Sequence, residues 1–349
     1  MTTVKRVAIV GFGFMGKTHY GAWRKTRGAK VVAVCDSNLA QLKAKVVGNI
    51  RGAADNSQLP STVKVWESVD DMLAAGGFDI VDITLPTALH PDMSVKALKA
   101  GYHVLCEKPM ALNLADCDRM LKAAKSAGRK LMIAHCVRFE PAYAYIRSAV
   151  KDGRYGRLVA AHFTRYIAPP KWSPKGCDWF FDENRSGGVF LDAHIHDADF
   201  ILGTFGVPDR LFSALHRGIY GFPDHTSTTY FFGNAIVTAD SSFAAADSLV
   251  FDACARVFFE NATIYAGTSY RKPLVVYPNE GKPFSPRISK ASGYELEVKY
   301  FLDCIEGRLR GEPVMSAESA RESIALIMAE KKSAEEGKCV SPIDCTNAN

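Results

Sequence analysis

The chain has 349 residues, 48% of them hydrophobic and 23% charged, which at about 150 residues per domain suggests two globular domains and excludes a disordered, collagenous or filamentous protein. Its 43 Lys and Arg against 37 Asp and Glu leave a formal charge of +6, a mild excess without clustered basic residues, so no nucleic acid partner is expected and a small anionic ligand fits better. The most apolar window, Phe231 to Phe251, is interrupted by Asp240 and Asp247, and Met1 to Val10 shows no basic-then-apolar leader, so no membrane span is expected and a cytoplasmic location is the simple inference.

In chain order, Val4 to Val10 reads as a buried strand, Met15 to Thr26 as a helix, Lys30 to Cys35 as a second strand and Leu39 to Val47 as a second helix. Val63 to Trp66 is a third strand, and Ser68 with Asp71 resembles a capping box opening a helix. Phe78 to Leu85 is a fourth strand followed by a helix ending at Gly101; Tyr102 to Cys106 is a fifth, Asn113 to Ala127 a helix closed by Gly128, and Lys130 to Ala134 a sixth strand. Strands alternating with helices indicate a doubly wound parallel sheet of α/β class. The pattern then changes. Leu158 to Ile167 is strand-like, a loop covers Pro169 to Ser186, and Val189 to Leu202 reads as a helix. Ser227 to Phe232, a Gly233-Asn234 turn, Ala235 to Phe243, Phe251 to Phe259 and Thr263 to Ala266 alternate as antiparallel strands, and helices over Tyr294 to Glu306 and Ser316 to Glu335 close the chain. The expected division is a dinucleotide-binding domain over residues 1–128 and an α+β domain over 129–349. Nine cysteines, an odd number with no C-x-x-C pair, read as thiols of a reducing compartment, not a disulfide framework.

Gly11-Phe12-Gly13-Phe14-Met15-Gly16 matches G-x-G-x-x-G between the first strand and the first helix. There the first glycine permits the turn, the second lets a pyrophosphate approach, the third lets helix pack on strand, and the helix N-terminus offers N–H donors. Asp36, 20 residues after Gly16, is placed to accept the adenosine ribose hydroxyls and to repel a 2′-phosphate, which favours NAD over NADP.

Thr84-Leu85-Pro86 with His90, Glu107-Lys108-Pro109, and Gly187-Gly188-x-x-x-Asp192-x-x-x-His196-x-x-Asp199 complete a set whose order and spacing resemble the glucose-fructose oxidoreductase / inositol dehydrogenase (Gfo/Idh/MocA) family. The resemblance implies a Rossmann domain followed by a domain with a large, open-faced, mostly antiparallel sheet. It implies NAD(P)-dependent hydride transfer from a secondary alcohol of a sugar, cyclitol or related polyol, and homodimers or homotetramers formed through the second sheet. It further implies that Lys108 hydrogen-bonds the reacting hydroxyl, that Pro109 follows a cis bond, and that Thr84, Pro86, His90, Glu107 and Lys108 border the cofactor.

From the residues alone, Lys108 lies at the carboxyl edge of a parallel strand, where open α/β sheets bind ligands, or is an ordinary solvated lysine. Asp192 and His196 are four apart on a helix face, so the carboxylate can orient the imidazole as a general base; the same spacing also suits a plain surface pair. Arg138 either anchors the domain junction beside the nicotinamide or pairs with a carboxylate. His194, where the family commonly has glycine, shapes the substrate site or packs. Tyr166, Trp172 and Trp179 either stack on a sugar ring or pack their own loop. Two rival readings are a catalytically silent NAD-binding sensor and a metal-dependent hydrolase using Asp192, His194 and His196. The H-x-H spacing suits a strand better than a helix, so no metal site is expected.

Overall fold

A computed structural model describes residues 4–45, 48, 53–168, 178–218, 223–249, 251–268 and 273–342. Six strands, β1 (Lys5–Val10), β2 (Ala29–Cys35), β3 (Lys64–Trp66), β4 (Ile80–Ile83), β5 (His103–Glu107) and β6 (Leu131–Ala134), alternate with α1 (Phe14–Lys25), α2 (Ala40–Lys43), α3 (Val69–Ala75), α4 (His90–Lys99) and α5 (Leu114–Ala127). Every neighbouring pair is parallel, in the order β3-β2-β1-β4-β5-β6. Helices cover both faces of such a sheet, which is why Val7 to Val10 of β1 and all of β6 are apolar and buried. The order reverses between β1 and β4, and the crevice beyond their carboxyl ends is the ligand edge of this topology. Local signals set the helix ends: Ser68 Oγ accepts the Asp71 N–H, Asn113 Oδ1 accepts that of Asp116, and Gly128 closes α5 at φ 61°.

The second sheet follows α6 (Pro141–Asp152) and β7 (Leu158–Ile167), then α7 (Glu183–Ser186) and α8 (Ile195–Phe205). It is completed by β8 (Arg210–Arg217), β9 (Pro223–Phe232), β10 (Ala235–Ser242), β11 (Phe251–Phe259), β12 (Ala262–Gly267) and β13 (Leu274–Pro278), and the chain continues through α9 (Gly293–Ile305) and α10 (Ala317–Glu336). The strand order is β13-β12-β11-β7-β10-β9-β8, antiparallel except for β7 beside β10. Residues alternate across it: Ala161, Phe163, Arg165 and Ile167 of β7 are buried, whereas His162, Thr164 and Tyr166 on the opposite face are half-buried. The fold class is that expected from the sequence, a parallel Rossmann sheet plus a mostly antiparallel one.

Four elements, α6, α7, β8 and β13, were not anticipated, α7 being a single turn within the expected loop. Helix α6 has Pro141 at its start and Gly153 in the left-handed region at its end, a pair of signals the sequence does carry; β8 and β13 are short runs with weak alternation. Helix α2 is a single turn, shorter than the expected Leu39 to Val47, of which residues 46 and 47 lie outside the described set.

Packing divides the chain into two compact units, residues 1–136 with 293–321, and residues 137–292 with 322–349. This division differs from the expected boundary at 128/129 in two respects: residues 131–134 form β6 of the first sheet, and α9 packs on α1 and β6. No disulfide joins the described cysteines, and no helix among the described residues is long and apolar enough to cross a membrane.

Candidate active-site residues

The glycine turn has the shape the sequence suggests. A Cβ on Gly16 would lie 2.1 Å from the Gly11 carbonyl oxygen, and one on Gly11, at φ 88°, would lie 2.7 Å from that of Thr84, so both positions demand glycine. At Gly13 a Cβ would meet nothing within 4 Å: the backbone there faces open space. Gly13 also caps α1 without a side-chain bond, leaving the N–H groups of Phe14 and Met15 at an uncapped, partially positive helix end. These features fit the pyrophosphate of a dinucleotide. The Phe12 side chain is buried edge-on against Tyr20 at 5.7 Å, so only its backbone faces the turn. The Asp36 carboxylate, half-buried at the end of β2, accepts the Phe12 N–H at 2.7 Å and the Asn38 N–H at 2.8 Å. It thereby fixes the turn and keeps further lone pairs for a ribose hydroxyl.

Beyond β4 and β5 the edge is braced by side chains. Thr84 Oγ1 donates to the Gly11 carbonyl at 2.7 Å. His90, fully buried, bridges the loop carbonyls of Leu85 and Pro109, each at 2.8 Å. Burial lowers its pKa even though the two carbonyls favour a doubly protonated ring. His90 is thus a strut between the two loops. The Lys108–Pro109 bond is cis, as the resemblance implies. Between Val104 and Ala111 every residue is buried except Lys108.

Glu107 does not face the edge. Its side chain lies inside the first unit, where Oε1 meets His19 Nε2 at 2.9 Å and Oε2 accepts the Lys108 N–H at 3.0 Å. The other nitrogen of His19, Nδ1, lies 3.0 Å from both oxygens of Asp82, and Trp23 Nε1 donates to Asp82 Oδ2 at 2.7 Å. Sequence reasoning missed His19, whose partners are 63 and 88 residues away; the available signal was Asp82, a carboxylate in the middle of an apolar strand. Burial opposes charge on His19, but Asp82 and Glu107 outweigh it and hold its pKa well above the ordinary value. Burial likewise acts against the Glu107 carboxylate, and His19 outweighs it, so the Glu107 pKa is lowered.

Glu297 of α9 lies 3.9 Å from His19 Nε2, is fully buried, and neither carboxyl oxygen has a hydrogen-bond partner. Burial, reinforced by Glu107 and Asp82, pushes its pKa well up. The folded chain therefore keeps a proton that the unfolded chain releases above about pH 4.5, and stability falls as pH rises from there towards the folded pKa. Glu297→Gln removes this dependence. We expect little change in Tm near pH 4 and a gain of about 2–8 °C at neutral pH, from roughly 1–2 kcal/mol. Thermal unfolding across pH measures it; a Tm difference that does not vary with pH refutes the buried, protonated Glu297.

In the second unit, Gly187 and Gly188 take φ of 79° and 65° and lead into a π-helical turn, Phe190–His194, that continues as α8. A regular α-helix was expected over 189–202. The i→i+5 bonded turn contains Asp192 and ends two residues before His196, a device common at functional sites. From Ser186 to Leu202 every residue is buried except Asp192 and His196. His194 packs: its ring is fully buried, with Nδ1 3.0 Å from Ser241 Oγ and Nε2 2.9 Å from Glu330 Oε2 and 3.2 Å from the Tyr230 hydroxyl, which itself donates to Glu330. Of its two readings, substrate shaping is therefore replaced by packing, because the ring is used up in bonds to β9, β10 and α10.

Arg138 resolves to the carboxylate reading. Its Nε and Nη2 grip Asp199 at 2.6 and 2.8 Å, and Ser323 Oγ donates to the same carboxylate at 2.7 Å, all buried. Its assignment as a cofactor ligand is corrected accordingly. Arg165 grips Asp197 of α8 in the same bidentate way. Since Arg165 faces α8, its neighbour Tyr166 lies on the opposite face of the sheet. Trp179 is half-buried against a cluster of Ile167, Phe180, Val189, Ala193 and Phe243. Trp172 lies outside the described residues. Among the described residues no group of three or more His, Cys, Asp or Glu is placed to hold a metal ion.

The sequence matches the family model GFO_IDH_MocA, an oxidoreductase family with an NAD-binding Rossmann fold, over residues 5–135, and the GFO/IDH/MocA C-terminal domain over residues 143–265. It is 28% identical to a D-apiose dehydrogenase of Paraburkholderia graminis, over 97% of this chain and 90% of that protein. It is 27% identical to a myo-inositol 2-dehydrogenase of Thermotoga maritima, over 96% and 98%. Among solved structures, an aldose-aldose oxidoreductase from Caulobacter crescentus complexed with glycerol superposes with a TM-score of 0.80 at 23% identity, covering 97% of this chain and 99% of that one. That likeness is one of fold.

Proposed function

Because the chain belongs to the Gfo/Idh/MocA family of oxidoreductases, we propose that it is an NAD-dependent dehydrogenase acting on a secondary alcohol of a sugar or cyclitol. One observation carries the reading: Lys108, Asp192 and His196 are the half-exposed residues of two otherwise buried segments, which is how a fold presents reactive groups while protecting the backbone that aims them. The glycine turn from Gly11 to Gly16 and the start of α1 hold the pyrophosphate, Asp36 the adenosine ribose, and the loops of Thr84, Pro86 and Lys108 border the nicotinamide. The Asp36 carboxylate disfavours a 2′-phosphate and so favours NAD over NADP. Bound NAD supplies the hydride acceptor.

Lys108 directs its ammonium at the substrate oxygen and stabilises the negative charge that grows there as the proton leaves. His196 takes that proton as general base, and Asp192 orients the imidazole and steadies its charged form. The whole-length similarity to dehydrogenases of apiose and myo-inositol supports a polyhydroxylated substrate. We further propose a cytoplasmic homodimer or homotetramer formed through the less buried face of the second sheet, where exposed Phe212, Ile236 and Tyr277 give apolar area to cover.

The test is absorbance at the reduced-nicotinamide band with NAD or NADP and a panel of myo-inositol, scyllo-inositol, D-apiose, D-xylose and D-glucose. Reduction of NAD by at least one of them, faster than of NADP, is expected. A chain that binds NAD and reduces none of the panel in either direction favours the silent-sensor reading.

A further inference from the structure

Three segments converge at the carboxyl edge of the parallel sheet, and one ring fastens all three. His19 belongs to α1, three residues after Gly16 of the glycine turn; Asp82 is two residues before Thr84; Glu107 immediately precedes Lys108. A neutral imidazole has a single N–H and can donate to one carboxylate only, leaving its other nitrogen lone pair facing the second. The imidazolium donates to both Asp82 and Glu107, and it neutralises one of two carboxylates that would otherwise repel inside the unit. The bond from the Lys108 N–H to Glu107 Oε2 then passes the constraint to the residue whose side chain emerges at the edge.

We infer that His19 is a positioning residue of this enzyme: acting through Glu107, it fixes the backbone of Lys108 and hence the direction of the ammonium. The inference rests on the role proposed above for Lys108. His19 itself is fully buried beneath the edge. Its influence on rate therefore runs through Lys108, and that makes it measurable as a coupling, whereas a ring that merely supports the fold would act independently of Lys108.

The experiment is a double-mutant cycle of His19→Gln and Lys108→Ala, assayed with NAD and the panel polyol that gives the highest rate. In the native background His19→Gln is expected to lower kcat about 10–100-fold with KM for NAD within about 3-fold. In the Lys108→Ala background the same substitution is expected to change kcat less than about 2-fold, since the group it aims is gone. Equal losses in both backgrounds overturn the inference and leave the Lys108 assignment standing. No loss for Lys108→Ala alone overturns that assignment and the inference with it. If His19→Gln does not fold, Asp82→Asn keeps the shape while removing one of the charges that hold the ring protonated. Its smaller loss is expected to vanish in the Lys108→Ala background, and its persistence there counts against the inference in the same way.

Discussion

Lys108→Ala lowers kcat by about 10²–10³-fold while NAD binding changes little, and His196→Ala lowers it by about 10²–10⁴-fold. The two expectations have different physical grounds. In the mechanism proposed above, the ammonium of Lys108 acts on charge that develops only as the hydroxyl loses its proton, so its removal is expected to raise the barrier more than it weakens ground-state binding. It is also expensive to move: Glu107 holds its N–H, and His90 holds the carbonyl of Pro109. Lys108→Arg, which keeps the charge, is expected to recover only part of the rate, because a planar guanidinium on a longer stem places its donors elsewhere. In the same proposal His196 accepts the proton itself, and alanine would leave that task to water. Steady-state kinetics with NAD titrated by fluorescence separates rate from binding. Native kcat in both variants removes the proposed mechanism.

Asp199→Ala destabilises the second unit by about 3–5 kcal/mol. The Arg138 guanidinium is buried and gripped at two points by this carboxylate, and Gly203 leaves it room: a Cβ there would lie 3.0 Å from Arg138 Cζ. Without Asp199 the guanidinium loses the carboxylate that compensates its desolvation, and the Ser323 hydroxyl loses its acceptor. At about 2–4 °C per kcal/mol for a unit of this size, Tm is expected to fall about 6–20 °C. Ser323→Ala, which removes one neutral donor, should cost about 1 kcal/mol. Differential scanning calorimetry measures both. A Tm loss below about 2 °C for Asp199→Ala would show that the pair is not the clamp described here.

The contrast between Asp192 and Asp199 shows where a sequence stops being readable. Both belong to one spaced motif, yet one is half-exposed and the other is sealed against Arg138, 61 residues earlier, and Ser323, 124 residues later. Motif spacing captures positions on one local segment, which is why the glycine turn and the capped start of α3 were legible, whereas the cis proline was expected only from the family resemblance. Spacing says nothing of partners brought in by the rest of the fold. The same limit hid His19 and the π-turn, where His194 meets Tyr230, Ser241 and Glu330 of β9, β10 and α10. His194 could be read as substrate-shaping only while those contacts were unknown.

The first compact unit is assembled from two stretches of chain, with α9 returning from residue 293 to cover α1. Exchange of cofactor-binding halves between relatives therefore cannot be achieved with one crossover point. A recombinant ending at residue 136 would set α1 against the other parent's counterpart of α9, in place of Glu295, the partner of Lys25, and of the Tyr294 ring beside His19. The unit travels intact only when both of its separated pieces are copied together.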